Sequence, residues 1–238
     1  MRLLIDPKGR RYLVRRGEDL HCNYGMVKAD EIFATEPGNT VQSKTGVSFD
    51  VLEPNILDYI AKARRGPQAM TIKDMGLAVA YAGVRSGLRV LESGTGSGLF
   101  TLYLAHIVAP AEVVTYELRE DFAEIARKNF ERFGVENVRL ELRDIYEGID
   151  EKSLDAVFLD LTEPWRVVPH LNGCLKVGGT LVSYSPSINQ SRQLAEVLGD
   201  YMHETFETIL RHWKPDKMSP DTRMLGHTGF LTVARRLR

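Results

Sequence analysis

Seven residues, Glu92-Ser93-Gly94-Thr95-Gly96-Ser97-Gly98, follow an apolar run and precede a helical pattern, the setting that a nucleotide-binding loop requires. Glycines let such a loop turn tightly and approach a ligand without Cβ clashes. The spacing is Gly94-x-Gly96-x-Gly98, with Leu99 where a dinucleotide fingerprint carries its last glycine. A pyrophosphate is therefore less favoured than a ligand without phosphate. Glu92 points the same way, since a carboxylate beside the loop repels a diphosphate and attracts a cationic amino acid. Glu117 closes the next apolar run, about twenty residues past the loop, where an acid grips a ribose diol. Asp144 closes the run after that and can accept a hydrogen bond from an adenine amino group. A glycine loop, a ribose acid and an adenine acid in this order describe S-adenosylmethionine binding. Ser97, Leu99, Phe100, Phe122 and Asp160 complete the expected cofactor set. The plain alternative for Glu117 and Asp144 is that both are surface acids.

These residues need a sheet to hold them. From Gly66 onward, apolar runs alternate with helix-period segments, the pattern of βαβ units and a parallel sheet. Strands are expected at 88–92, 113–116, 138–142, 156–159 and 180–184. Helices are expected at 99–108, 121–133 (ended by Gly134) and 187–198, with another at 164–175 stopped by Gly178-Gly179. Residues 204–213 and 228–234 read as a closing strand pair. Before this domain, Leu3-Leu4-Ile5 and Tyr12-Leu13-Val14 flank the turn Asp6-Pro7-Lys8-Gly9, and 47–52 alternates like a strand ahead of a short helical pattern opened by Pro54. The expected fold is α/β: a Rossmann-like, doubly wound sheet with a terminal antiparallel strand pair (61–238), plus a small N-terminal β-rich module (1–60).

At this point the chain resembles a known family. The glycine loop, Tyr116-Glu117, Leu159-Asp160-Leu161-Thr162-Glu163-Pro164-Trp165 and Gly226-His227-Thr228-Gly229-Phe230 are together similar to the TrmI family. So are the lead-in Gly66-Pro67-Gln68 through Lys73-Asp74 and the segment Pro186-Ser187-Ile188-Asn189-Gln190. These are tRNA (adenine-N1)-methyltransferases of the T-loop. The resemblance covers nearly the whole chain. It implies a class I methyltransferase fold, S-adenosylmethionine as cofactor, usually a homotetramer, and methylation of adenine 58, in some archaeal members also adenine 57. The chain departs from the family where many members place Tyr ahead of Pro-Lys-Asp; here the sequence reads Thr71-Ile72-Lys73-Asp74.

That chemistry asks little acid–base work. Adenine N1 carries its own lone pair, so the protein mainly aligns it with the methyl group. A carboxylate accepting from the exocyclic amino group stabilises the charge that develops on the ring, and Asp160 is the candidate for this role. A loop-capping aspartate is the plain reading of the same residue. The segment after Asp160 is not the compact Asp-Pro-Pro-Tyr pattern similar to that of amino-group methylation, which favours attack by a ring nitrogen. Candidates for RNA contact are Arg10, Arg11, Arg15 and Arg16, with Trp165 as a stacking ring and His227 as a loop contact. Core packing and strand capping are the structural readings of Trp165 and His227.

Composition bounds the rest. The 238 residues carry 31 basic and 32 acidic side chains, ordinary globular values that exclude disordered and coiled-coil classes. The near-zero net charge hides a basic N-terminus, with six basic residues against Asp6 in the first sixteen. A solvated surface explains that charge as simply as an RNA platform does. Cys22 and Cys174 lie far apart without ligand spacing, so neither a zinc site nor a disulfide scaffold is expected, and no metal is implied. The longest uncharged apolar stretch, 75–84, is too short to span a bilayer, and Asp6-Pro7 interrupts any leader-like run. A cytoplasmic protein with a tRNA partner and no membrane association is the expectation. The rivals are a class I methyltransferase acting on a protein carboxyl or small molecule, a non-catalytic RNA-binding partner subunit and, least favoured by the glycine spacing, an NAD-dependent oxidoreductase.

Overall fold

A computed structural model describes residues 1–66 and 69–238, so Pro67 and Gln68 of the lead-in motif lie outside the described residues. The chain divides into two compact units, Met1–Ala63 and Arg64–Arg238.

The first unit is built from short strands because turn residues interrupt it every few positions. Its strands are β1 (Arg2–Ile5), β2 (Arg11–Val14), β3 (Leu20–Cys22), β4 (Gly25–Val27), β5 (Thr40–Gln42) and β6 (Ser48–Leu52). Its helices are α1 (Ala29–Ala34) and α2 (Ile56–Lys62). Four strands form an antiparallel sheet in the order β2-β1-β6-β5, and β3 and β4 make a separate hairpin. Alternation puts Leu4, Phe49 and Val51 in one core with Val27 and Ile32. Asp6 makes the expected β1–β2 turn: Oδ1 accepts from the Lys8 and Arg10 amides at 2.8 and 3.0 Å, and Oδ2 from Arg10 Nε at 2.6 Å. Asn55 and Asp58 form a reciprocal capping box at the start of α2.

The second unit carries a seven-stranded sheet. In chain order its elements are α3 (Ile72–Ala82), β7 (Val90–Ser93), α4 (Leu99–Val108), β8 (Val113–Glu117), α5 (Glu120–Phe133), β9 (Val138–Leu142) and β10 (Leu154–Leu159). There follow α6 (Val168–Leu171), β11 (Leu175–Ser185), α7 (Ile188–Glu196), β12 (Tyr201–Phe206), β13 (Trp213–Lys214), β14 (Ser219–Pro220) and β15 (Phe230–Arg236). The sheet order is β12-β15-β11-β10-β7-β8-β9. Neighbours from β11 through β9 pair in parallel, while β15 lies antiparallel between β11 and β12. From β7 the chain runs outward through β8 to β9, then returns to β10 on the other side. The topological switch point therefore falls between β7 and β10, the place where open α/β sheets bind ligands. This is the class I methyltransferase arrangement.

Three elements differ from the sequence reading. The helix expected over 164–175 breaks into a 3₁₀ turn, Pro164–Arg166, and the short α6. Gly178 and Gly179 do not stop a helix but lie inside β11, where a Cβ on Gly179 would sit 2.9 Å from the Lys176 carbonyl oxygen. The closing strand ends at Phe206 rather than Trp213, and Trp213 belongs to the two-residue β13, paired with β14. The sequence reading also assigned no element to 72–82, which is α3, with Met75, Ala78 and Val79 buried. No helix among the described residues is long and apolar enough to cross a membrane.

Candidate active site

At the switch point a cavity of about 410 Å³ opens over the carboxyl ends of β10, β7 and β8. Each of these strands delivers an acid to it: Asp160 just beyond β10, Glu92 in β7 and Glu117 at the end of β8. Register explains the convergence, because Phe158 pairs with Glu92, Leu159 with Ser93, and Ser93 with Tyr116. Of the expected cofactor residues, Glu92, Gly94, Gly96, Ser97, Leu99, Phe100, Glu117, Phe122 and Asp160 all line this one cavity.

The glycine loop is shaped by what surrounds it. Gly94 has φ +94°, and a Cβ there would lie 2.3 Å from the Asp160 carbonyl oxygen. Gly98, at φ +74°, starts α4 so close to α5 that a Cβ would come within 2.7 Å of the Phe130 ring. Glycine at 98 therefore serves helix packing as well as the turn, although it is not part of the cavity wall.

Glu92 is buried under the loop. Its Oε2 accepts hydrogen bonds from Thr101 Oγ1 of α4 at 2.5 Å and from Thr115 Oγ1 of β8 at 2.9 Å. Burial pushes its carboxyl up to about 8; the two hydroxyls oppose that rise, and the charges of Asp160 and Glu117 add to it. Glu117 bonds to the loop itself: Oε2 accepts from the Gly96 amide at 2.8 Å and Oε1 from the Arg119 amide at 2.9 Å. Asp160 reaches solvent through the cavity, yet protein packs densely around it, and this burial raises its carboxyl to about 6. Its backbone amide donates to Ser93 O at 2.9 Å, tying the β10 end to β7. Arg119 is the cation in the wall, but its guanidinium lies 3.8 Å from the Phe122 ring centroid and 2.6 Å from Asp121.

The other expected residues lie elsewhere. Asp144 is half-buried and caps a 3₁₀ turn, its Oδ1 accepting from the Tyr146 amide at 2.9 Å; Tyr146, not Asp144, lines the cavity. Trp165 is partly buried and packs against the core, as Tyr146 and Leu161 do. His227 is exposed, with Nδ1 2.7 Å from Glu207 and Nε2 3.1 Å from the Pro186 carbonyl oxygen. Two acceptors favour the doubly protonated ring, and the Glu207 bond leads in raising its pKa. In the first unit Arg10 pairs with Asp6, Arg11 with Asp58 at 3.2 Å, and Arg16 lies over the Phe33 ring. Arg15 is exposed.

Sequence reasoning missed several cavity residues. Tyr184 lines the cavity two positions after Val182, on the same face of β11. Strand alternation could have found it. Met70, Met75 and Ala78, at the start of α3 and just before it, gave no such signal. Among the described residues, no group of three or more His, Cys, Asp or Glu could hold a metal ion.

The chain is similar to known proteins over nearly its full length. It is 35% identical to the tRNA (adenine(57)-N(1)/adenine(58)-N(1))-methyltransferase TrmI of Methanocaldococcus jannaschii, covering 98% of this chain and 94% of that protein. It is also 35% identical to the tRNA (adenine(58)-N(1))-methyltransferase TrmI of Thermus thermophilus, covering 98% and 96%. Among solved structures, the fold matches the tRNA (m1A58) methyltransferase TrmI of Aquifex aeolicus with TM-score 0.80 and 27% identity, covering 100% and 96%. It matches a SAM-dependent O-methyltransferase of Thermotoga maritima with TM-score 0.87 and 31% identity, covering 100% and 92%. The profile described as "tRNA methyltransferase complex GCD14 subunit" matches residues 60–219. The resemblance read from the motifs thus holds along the sequence and through the fold, and the chain belongs to this family of tRNA methyltransferase subunits.

Proposed function

We propose that this chain transfers a methyl group from S-adenosylmethionine to N1 of adenine 58 in the T-loop of tRNA. One observation carries the reading: a glycine loop, two acids and Asp160 converge in one cavity, in a chain whose full-length relatives are named for this reaction. The residues fit the cofactor, since Gly94 and Gly96 present bare backbone to the cavity and buried Glu92 has two hydroxyl partners but, among the described residues, no cation paired with it. Glu92 would face the cofactor's amino acid end and Glu117 its ribose, exchanging the Gly96 amide for a hydroxyl. Phe100 and Phe122 would pack on its apolar parts. Asp144 would meet the adenine edge through a local rearrangement of the Tyr146 turn.

S-adenosylmethionine, when bound, supplies an electrophilic methyl group on a sulfonium. Adenine N1 needs no prior deprotonation: the N1–C bond forms as the S–C bond breaks, and positive charge passes to the ring. Asp160 accepts a hydrogen bond from the exocyclic amino group, holding N1 towards the methyl and stabilising that charge. The target nucleotide lies inside the folded tRNA and must be extruded into the cavity.

Phosphate contacts fall to exposed basic groups. All four N-terminal arginines, Arg10, Arg11, Arg15 and Arg16, are exposed, and Arg10 and Arg11 must share their carboxylate partners with RNA. The working form is a cytoplasmic homo-oligomer. Ile209, Leu210, Trp213, Met218 and Leu225, all exposed on the stretch between β12 and β15, support an apolar contact between subunits. Incubation with labelled S-adenosylmethionine and bulk tRNA, followed by nucleoside analysis, should yield 1-methyladenosine. Transfer to protein or small-molecule oxygen instead would favour the carboxyl-methylating alternative.

A further inference from the structure

Outside the cavity wall, α5 buries one polar side chain completely, and that side chain joins two distant parts of the chain. Asn129 Nδ2 donates to the Ser97 carbonyl oxygen at 2.8 Å and to the Arg64 carbonyl oxygen at 2.9 Å. Its Oδ1 accepts from the Arg64 amide at 2.9 Å. Two carbonyls and one amide use both hydrogens and the oxygen of a primary amide in a single orientation. An aspartate of the same size has neither donor. A further bond runs directly between the two parts, from the Gly66 amide to Ser97 Oγ at 3.4 Å.

The rest of that helix face is shaped for the same two neighbours. Phe122, Ile125, Ala126, Asn129 and Phe130 recur at helical spacing, so they share one side of α5. Phe122 lines the cavity. A Cβ on Gly66 would lie 2.9 Å from Ile125 Cδ1, and one on Gly98 would lie 3.1 Å from Ala126 Cβ. Glycines at 66 and 98 thus let both parts close on this face, and Asn129 then bonds to both. One of them is the glycine loop, which brings Ser97 to the cavity; the other lies just ahead of Ala69 and Met70, which also line it.

We propose that Asn129 is a positioning residue for the cofactor: it locks the glycine loop to the stretch 64–66, so that both parts of the wall hold one ligand. This rests on the S-adenosylmethionine reading. A binding loop keeps its geometry when buried hydrogen bonds behind it fix its backbone. Without the amide, the Ser97 and Arg64 carbonyl oxygens lose a buried donor, and each must shift to find another. The loss falls on binding, because Asn129 is no part of the wall around Asp160.

Calorimetry with S-adenosylhomocysteine, beside methylation of tRNA at varied S-adenosylmethionine, tests this. Asn129→Asp and Asn129→Ser should each weaken cofactor-product binding about five- to fiftyfold. The KM for S-adenosylmethionine should rise in step, while kcat at saturating cofactor stays within about threefold. Asn137 is the control, since its Nδ2 also donates to two carbonyl oxygens, of Ala105 and Ala111, at 2.9 Å each, but outside the cavity wall at the start of β9. Asn137→Ser should lower Tm and leave cofactor-product affinity within about twofold. Hydrogen exchange gives a readout without turnover: Asn129→Ser should speed exchange of the Arg64 amide and of the glycine loop. Wild-type cofactor-product affinity in Asn129→Asp, a fall in kcat with KM unchanged, or an equal loss of affinity in Asn137→Ser would overturn the proposal. If neither Asn129 variant folds, the wild type decides, because S-adenosylhomocysteine should then slow exchange of the Arg64 amide together with the loop, and an unchanged Arg64 amide would end the idea. A wild type that binds no S-adenosylhomocysteine would instead remove the cofactor reading, and this proposal with it.

Discussion

Asp160 and Glu92 sit in one cavity with raised pKa values, and the two shifts have different consequences. For Asp160, raised to about 6 by burial, the ionised form is the one that would accept the amino hydrogen bond in the proposed role. The rate of the free enzyme, kcat/KM, should therefore climb as pH rises through about 6. Asp160→Asn should flatten that limb and slow transfer on the order of a hundredfold, with cofactor affinity little changed. A variant that keeps both limb and rate would remove Asp160 from the chemistry. For Glu92 the sign concerns stability. Its folded value of about 8 exceeds the ordinary 4.5, so between these values the native state holds a proton that the unfolded state releases. Stability of the unliganded protein must fall as pH rises across that window. Thermal melts should show Tm dropping by roughly 5 °C or more between pH 5 and pH 8, and Glu92→Gln should remove most of the slope. The sequence carried both acids plainly, because Glu92 closes one expected strand and Asp160 follows another. It could not show that Glu92 binds two threonine hydroxyls, since Thr101 and Thr115 belong to different elements.

Among the elements, the glycine loop is held by β10 as much as by its own turn. An alanine at 94 would meet the Asp160 carbonyl oxygen and strain a φ of +94°. Gly94→Ala should cost about 2–4 kcal/mol and abolish cofactor binding, whereas Gly87→Ala, also at positive φ but with open space around it, should cost less and leave binding intact. Chemical denaturation with calorimetry separates the two. Strands β7, β8 and β10 were legible because parallel, doubly covered strands read as near-continuous apolar runs, β9 because its apolar and charged residues alternate at the sheet edge, and α5 because Gly134 ends it. The region after Asp160 was not. There Gly178-Gly179 has the composition of a helix stop, but the close approach of Lys176 and Asp155 carbonyls requires glycine inside a strand. The excursion between β12 and β15 defeated the pattern for another reason: Trp213 pairs for two residues only, too short to leave a period.

At the scale of the molecule, basic and acidic residues nearly cancel, with 31 against 32, so their arrangement decides what the surface does. In the N-terminal unit the structure spends Arg10 and Arg11 on Asp6 and Asp58, a pairing that a count of charges could not reveal. The cavity concentrates the opposite sign, with three neighbouring strands each bringing a carboxylate and the wall's arginine paired with Asp121. A polyanion approaching such a mouth is repelled until the acids are matched. The cofactor, with a sulfonium and an ammonium against one carboxylate, brings the missing charge. Addition should then be ordered, cofactor before RNA, and the coupling must be reciprocal. Filter binding should find tRNA held more tightly with a cationic, non-reactive cofactor analogue than with neutral S-adenosylhomocysteine, and this gap should narrow as Glu92 protonates below pH 8. Equal tRNA affinities in both states would mean that the acids never feel the phosphates. If the gap is real, loss of the sulfonium charge at transfer also loosens the enzyme's hold on its RNA, so that the reaction itself starts product release.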